Sequence, residues 1–214
     1  MQAAIDIADI IFKAHAFRFA GTDKPSLMAT AGIPDQINEF LDRLSASGLE
    51  FLVVGGIALR QYIGSRNTED IDLIAAPDAL GEISGIVIEE SNPEFARARF
   101  GTLQVDILRA EHSLFAYILK QESNVKDFAG HSLPCATPRG LAILKLFALP
   151  SLYRQHDLTR VAIYEGDIAA LVGQFSLDDA DLLAPLESYL IPSDLGELRK
   201  ILSEIRARLH RFDP

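Results

Sequence analysis

The sequence holds a single cysteine, Cys135, among 214 residues. No intrachain disulfide can form, and no Cys-x-x-Cys zinc site exists. Cys135 lies in Leu133-Pro134-Cys135-Ala136-Thr137 and is expected to be a buried structural thiol. The five histidines, His15, His112, His131, His156 and His210, show neither HxxxH nor HExxH spacing, which argues against zinc. Gly-x-Ser-x-Gly and the Gly-x4-Gly-Lys-Ser/Thr phosphate loop are both missing, so hydrolase and P-loop chemistries lack their key residues. No apolar run approaches the ~20 residues of a membrane span. Nor does the beginning read as a signal peptide: Ile5 to Phe12 contains Asp6 and Asp9, and Lys13 follows the run rather than preceding it. A soluble, cytoplasmic protein with no membrane partner is expected, and the cysteine usage agrees.

Positive charge is also scarce. The formal net charge is -10. This argues against a surface that tracks a phosphate backbone throughout, while leaving room for a local basic cleft. It also suits a protein that carries metal-binding carboxylates.

What is present is a core-forming chain, about half apolar. The spacing predicts a short helix within residues 1–20, then turn-rich punctuation at Gly21 to Ser26 and at Gly32 to Asp35. From Asp35, the residues Ile37, Phe40, Leu41 and Leu44 repeat at three and four, which predicts a helix ending at Ser45 to Gly48. Phe51-Leu52-Val53-Val54 reads as a buried strand that stops at Gly55-Gly56, and Ile57 to Tyr62 reads as a helix. Residues 79–90 suggest a helix or a helix–strand mixture. Residues 114–119 look helical. Thr137-Pro138 pairs a capping residue with proline at the first helical position, starting a helix that carries Lys145 and is expected to end near Pro150. Another helix is expected over Thr159 to Gly173, and a last one over Ser193 to Phe212 with Asp194 and Glu197 as a capping box. Arg199, Lys200, Arg206, Arg208 and Arg211 make that last helix basic, either as a solvated face of a docked helix or as a contact for an acidic partner or a nucleic acid.

Two segments place acid opposite an apolar face. In Asp70 to Ile74, Ile71 and Leu73 face one way and Asp70 and Asp72 the other. In Phe100 to Leu108, Leu103, Val105 and Ile107 share one face, and Gln104 and Asp106 the opposite one. If the two strands are neighbours, three carboxylates converge. Three carboxylates in one pocket repel, and a divalent cation removes the conflict. Mg²⁺ prefers oxygen ligands and keeps part of its shell for water and substrate phosphate; paired ions can stabilise attacking and leaving oxygens in phosphoryl transfer. The Gly55-Gly56 turn adds backbone N–H groups that a phosphate can approach closely at a helix start.

Gly55-Gly56, thirteen intervening residues and Asp70-Ile71-Asp72-Leu73 together resemble the signature of the DNA polymerase β-like nucleotidyltransferase superfamily. The string from Val53 to Ile74, with Arg66-x-Thr68-x-Asp70-x-Asp72, resembles its small prokaryotic branch of AbiEii-type toxins and minimal nucleotidyltransferases. The likeness covers roughly residues 37–175, is specific in the first motif, and loosens afterwards. Where those relatives carry Lys-Asp after the lysine-bearing helix, this chain has His156-Asp157 behind Arg154 and Gln155.

The resemblance implies an α/β nucleotidyltransferase fold: a short mixed β-sheet flanked by helices, plus a helical C-terminal region. It implies an N-terminal extension over residues 1–36, a catalytic core over 37–136 and a helical region over 137–214. Asp70, Asp72 and Asp106 would be catalytic and would bind Mg²⁺ or Mn²⁺. Gly55, Gly56, Arg66, Thr68, Lys145 and Asp157 would contact the nucleotide. The implied partners are a nucleoside triphosphate and a hydroxyl acceptor: a tRNA 3′ end, a protein or a small molecule. For a toxin, an antitoxin protein would be a further partner. Two alternatives stand beside this reading: a non-catalytic nucleotide-binding or regulatory protein of the same fold, and an interaction protein acting through the basic last helix.

Overall fold

The structure is a computed structural model that describes residues 33–64, 68–128 and 130–212, together with Asp6, Ile7, Ile10 and Ile11. Most of the helix expected within residues 1–20 falls outside the described residues, although Ile7, Ile10 and Ile11 are helical and buried. The chain divides into two compact units, Met1–Ala136 and Thr137–Pro214.

The first unit is a mixed α/β structure. It contains α1 (Ile33–Ala46), β1 (Phe51–Val54), α2 (Gly55–Arg60), β2 (Asp70–Ala75), α3 (Pro77–Gly81), β3 (Ile86–Ser91), β4 (Phe95–Phe100), β5 (Leu103–Arg109), α4 (Ser113–Gln121), β6 (Ser123–Phe128) and β7 (His131–Ala136). The strands form one seven-stranded sheet in the order β3-β4-β5-β2-β1-β7-β6. The β1–β7 and β2–β5 pairs are parallel; β1–β2, β3–β4, β4–β5 and β6–β7 are antiparallel. A mixed sheet flanked by helices is therefore the observed fold class.

The centre of the sheet carries the site. β1 is buried along its whole length, as an apolar strand must be when both its faces are covered. β2 and β5 alternate, and their register pairs Ile71 with Val105 and Leu73 with Ile107 on the apolar face. All four side chains are buried. Each contributes about 1.5–3 kcal/mol by leaving water. A slip of one residue would expose them and bury the aspartates, so the core locks the register that positions the acids. On the same apolar face, Ala96, Ala98 and Phe100 of β4 are buried, and Phe100 meets Phe40 of α1 with ring centroids 5.7 Å apart.

Several expectations need correction here. The strand expected from Phe100 to Leu108 is two strands: β4 ends at Phe100, and Gly101-Thr102 turn the chain into β5. Gly101 takes a φ of +59°, a conformation glycine adopts without steric cost. Residues 123–136, whose pattern gave no element, form the β6–β7 hairpin.

The second unit is helical: α5 (Pro138–Arg154), α6 (Leu158–Gln174), α7 (Asp179–Leu183) and α8 (Pro192–Leu209), with single 3₁₀ turns at Ala184–Leu186 and His210–Phe212. Thr137 caps α5 by accepting from the Gly140 N–H at 3.0 Å. The expected stop at Pro150 does not occur; α5 runs on to Arg154. Proline removes one hydrogen bond from a helix interior. Burial of Leu146, Leu149 and Leu152 on both sides of it keeps the helix intact. The expected capping box of α8 is also absent. Its N-cap is Ile191, without a side-chain cap, and Asp194 accepts instead from Arg154 Nη1 at 3.0 and 3.1 Å.

Part of the basic face of α8 is paired within the unit. Arg206 reaches Asp179 at 2.7 Å and also donates to the carbonyls of Val172 and Leu177. Lys200 pairs with Glu197 at 2.7 Å, and Arg208 lies 3.7 Å from Glu165. The Arg206 bonds and the burial of Leu195, Leu198, Leu202 and Ile205 favour the docked-helix reading for this segment.

Candidate active site

Asp70 and Asp72 leave one side of β2, and Asp106 leaves the same side of β5 directly beside Asp72. The adjacency on which convergence depends is thus provided by a parallel strand pair. Each aspartate offers one carboxylate oxygen such that all three oxygens lie within 4.8 Å of one another, and all three residues are half-buried. Like charges at that separation repel by about 3–4 kcal/mol per pair at an effective dielectric of ~20. The backbone of a central sheet holds them together despite this.

Neighbouring donors orient each carboxylate. The buried Thr68 hydroxyl donates to Asp70 Oδ1 at 2.5 Å. The Gly56 N–H points at Asp72 Oδ2 at 3.4 Å. Asp106 takes the guanidinium of Arg97 side-on: Nε donates to Oδ1 at 2.8 Å and Nη2 to Oδ2 at 3.0 Å. Gln104 Nε2 donates to the same Oδ1 at 3.1 Å. The Asp106 hydrogen bonds, aided by the charges of Asp106, Glu90 and Asp70, raise the pKa of Arg97 above its ordinary value.

The double glycine is shaped by these acids. Gly55 has a φ of +62°, and a Cβ built there would lie 1.8 Å from Asp72 Oδ2. A Cβ on Gly56 would lie 2.9 Å from Thr68 Cβ. Both positions therefore exclude any side chain because Asp72 and Thr68 already occupy the space. The same arrangement turns the start of α2 toward the carboxylates.

The donor set suits a hard divalent cation. Two ligands of one octahedral Mg²⁺ sit ~3–4.2 Å apart when each is ~2.1 Å from the metal. Oxygens gathered within 4.8 Å need only small side-chain adjustments to reach that spacing. Among the described residues, three carboxylates against the Arg97 guanidinium also leave two negative charges, which a divalent ion neutralises.

The remaining expected site residues stand as follows. Arg66 lies outside the described residues. Lys145 belongs to the second unit, where it is buried; its Nζ is 2.8 Å from Asp167 Oδ2 and 4.1 Å from the centre of the Tyr164 ring. Asp157, also in that unit, caps α6 by accepting from the Arg160 N–H at 3.1 Å. His156, where the resembling family carries lysine, takes a left-handed φ of 57° between α5 and this cap.

Sequence reasoning passed over Arg97, and gave Gln104 no role although it set that residue on the same face as Asp106. The signal for Arg97 was present: Phe95-Ala96-Arg97-Ala98-Arg99-Phe100 alternates as β2 does, and strand parity alone aims Arg97 to the acidic face. Cys135 is buried in β7, and burial pushes its thiol pKa up to about 12.

No protein-family model matches the chain, and no curated protein matches it. Solved structures similar to it include an antigenic nucleotidyltransferase-like protein from Paracoccidioides brasiliensis, at 14% identity over 79% of this chain and 89% of that one, with a TM-score of 0.49. Another is ANT(2″)-Ia in complex with adenylyl-2″-tobramycin, at 15% identity over 81% of this chain and 97% of that one, TM-score 0.47. Terminal uridylyl transferase 4 from Trypanosoma brucei with bound GTP is similar at 17% identity over 97% of this chain and 73% of that one, TM-score 0.31. At these identities the likeness concerns architecture alone. Among the described residues, no helix is long and apolar enough to cross a membrane.

Proposed function

We propose that the chain is a divalent-metal-dependent nucleotidyltransferase, moving a nucleoside monophosphate from a nucleoside triphosphate to a hydroxyl acceptor. The observation that carries this reading is the convergence of Asp70, Asp72 and Asp106 on adjacent central strands beside the Gly55-Gly56 turn. Rigid elements supply the carboxylates, as phosphoryl transfer requires of a pre-organised metal site.

In this reading Asp70, Asp72 and Asp106 hold Mg²⁺ or Mn²⁺. The bound cation supplies charge neutralisation for the triphosphate and for the leaving pyrophosphate. Thr68 keeps Asp70 oriented through its hydroxyl. The family resemblance assigns the backbone of the Gly55-Gly56 turn, at the start of α2, to phosphate contact. Asp106 accepts the proton of the acceptor hydroxyl. Arg66, Lys145 and Asp157 are assigned to nucleotide contact by the family resemblance, Lys145 with its charge shared with Asp167.

The acceptor is an RNA 3′ end, a protein side chain or a small molecule. The AbiEii-type resemblance adds the role of toxin in a toxin–antitoxin pair, acting in the cytoplasm with an antitoxin as partner. The test is incubation with each labelled nucleoside triphosphate, Mg²⁺, and total RNA, cell extract or candidate small acceptors, alongside D70N and D72N. Transfer by the wild type that both variants lose is expected. Folded protein that transfers no label to any acceptor would count against the reading.

One observation favours a second reading. The Arg97 fork already satisfies most of the Asp106 carboxylate, as a permanent ion pair would in a non-catalytic nucleotide-binding protein. Nucleotide binding that needs no divalent ion would support that alternative.

A further inference from the structure

Protein donors already occupy most of the Asp106 carboxylate. A carboxylate has about four lone-pair positions. Arg97 Nε and Gln104 Nε2 together take both at Oδ1, and Arg97 Nη2 takes one at Oδ2.

Arg97 has a second carboxylate within reach. The β3–β4 register places Glu90 directly opposite Arg97, on the other side from Asp106, across a bulge between Ile88 and Glu90. Residues opposed in this way have Cβ atoms about 4.5–5.5 Å apart and point to the same face. Glu90 is exposed and already contributes to the field at Arg97. The Arg97 side chain is 32% exposed, against 16% for Asp106, so the guanidinium has room to swing outward while the aspartate stays in place.

We propose that Arg97 is a resident counter-cation that neutralises Asp106 in the metal-free protein and passes to Glu90 when a divalent cation enters the carboxylate site. Arg97 and the ion compete for the same oxygens, so Arg97 weakens metal binding and Glu90 strengthens it by receiving the displaced guanidinium. The inference rests on the carboxylate site being a metal site. It adds a positioning role for two residues that contact neither nucleotide nor acceptor in the proposed mechanism.

The test is Mn²⁺ binding to the full-length protein, measured by titration calorimetry and by loss of free-ion paramagnetic resonance signal. The proteins are wild type, R97Q, E90Q, the R97Q/E90Q double variant, D70N and D72N, each checked for folding by circular dichroism. R97Q is expected to bind Mn²⁺ about tenfold more tightly, equivalent to ~1.4 kcal/mol. E90Q is expected to bind about threefold more weakly than wild type, and to have no effect in the R97Q background, because no guanidinium then needs a receiver. R97K should fall between wild type and R97Q, since an ammonium keeps the charge but not the fork.

R97Q binding equal to or weaker than wild type overturns the competition. E90Q weakening both backgrounds equally overturns the handover, because that is the effect of a distant charge alone. Binding unchanged in D70N and D72N refutes the metal site itself, and the handover with it; binding abolished in those two with R97Q unaltered refutes only the role of Arg97.

Discussion

Replacing Gly55 with alanine tests the tie between the double glycine and the carboxylates. The added Cβ would stand 1.8 Å from Asp72 Oδ2, 2.3 Å from its Cγ and 2.6 Å from its Cβ. Rotating χ1 of Asp72 moves the first two atoms but leaves the third, so the backbone of β2 or α2 has to shift. The left-handed φ of +62° adds a second penalty, about 1–2 kcal/mol for a residue with a Cβ. Overpacking of this kind costs about 1–3 kcal/mol. Together they amount to roughly 2–5 kcal/mol, which for a chain of this size lowers the melting midpoint by roughly 5–15 °C. The assay is thermal and urea unfolding of wild type, G55A, D72G and the double variant. If the overlap with Asp72 is the cause, G55A/D72G recovers stability beyond additivity by more than ~1 kcal/mol, because every nearest atom belongs to the Asp72 side chain. A G55A protein melting within about 2 °C of wild type would refute the reasoning, as would strict additivity in the cycle.

Other perturbations follow from the same structure. R206A removes hydrogen bonds to Asp179 and to the carbonyls of Val172 and Leu177; urea unfolding should show a loss of about 1–3 kcal/mol. R199A breaks only a 3.9 Å exposed contact with Glu187 and should cost less than about 0.5 kcal/mol. K145M leaves Asp167 unpaired in surroundings where its side chain is 13% exposed and should destabilise by about 3–5 kcal/mol. The K145M/D167L double variant should regain most of that loss, and failure to do so would show that Lys145 does more than pair. Cys135, buried and with its thiol pKa pushed up to about 12, should resist Ellman's reagent at pH 8 in the native state and react once the protein is unfolded in urea. Rapid native labelling would contradict the burial.

The elements legible in the sequence were those with strong local signals. β1, α1 and β2 follow from an unbroken apolar run, a three-and-four repeat and a clean alternation. Thr137-Pro138 announced α5, because a capping hydroxyl followed by proline has few other uses. The β6–β7 hairpin was opaque for a physical reason. β6 is an edge strand, Ser-Asn-Val-Lys-Asp-Phe, exposed on most positions, and its Val125 faces solvent. An edge strand needs no apolar period, so none was there to read. Asp194 misled in the opposite direction: its spacing to Glu197 matches a cap, yet Arg154, forty residues earlier, offers a charged partner that local pattern cannot reveal.

At the site, strand parity alone determined that Asp70 and Asp72 share a face and that Asp106 opposes an apolar one, because a strand alternates every residue whatever surrounds it. The tertiary structure decided the rest. The parallel β2–β5 pairing set Asp106 beside Asp72. The same packing brought Asp72 against Gly55, so that the glycine is required by the aspartate. It also laid Arg97 across Asp106, with Glu90 on its other side. The contacts of Asp72 with Asp106 and Gly55 join residues far apart in the chain, and all of these contacts depend on a register set by which apolar side chains interlock in the core. No local spacing encodes that.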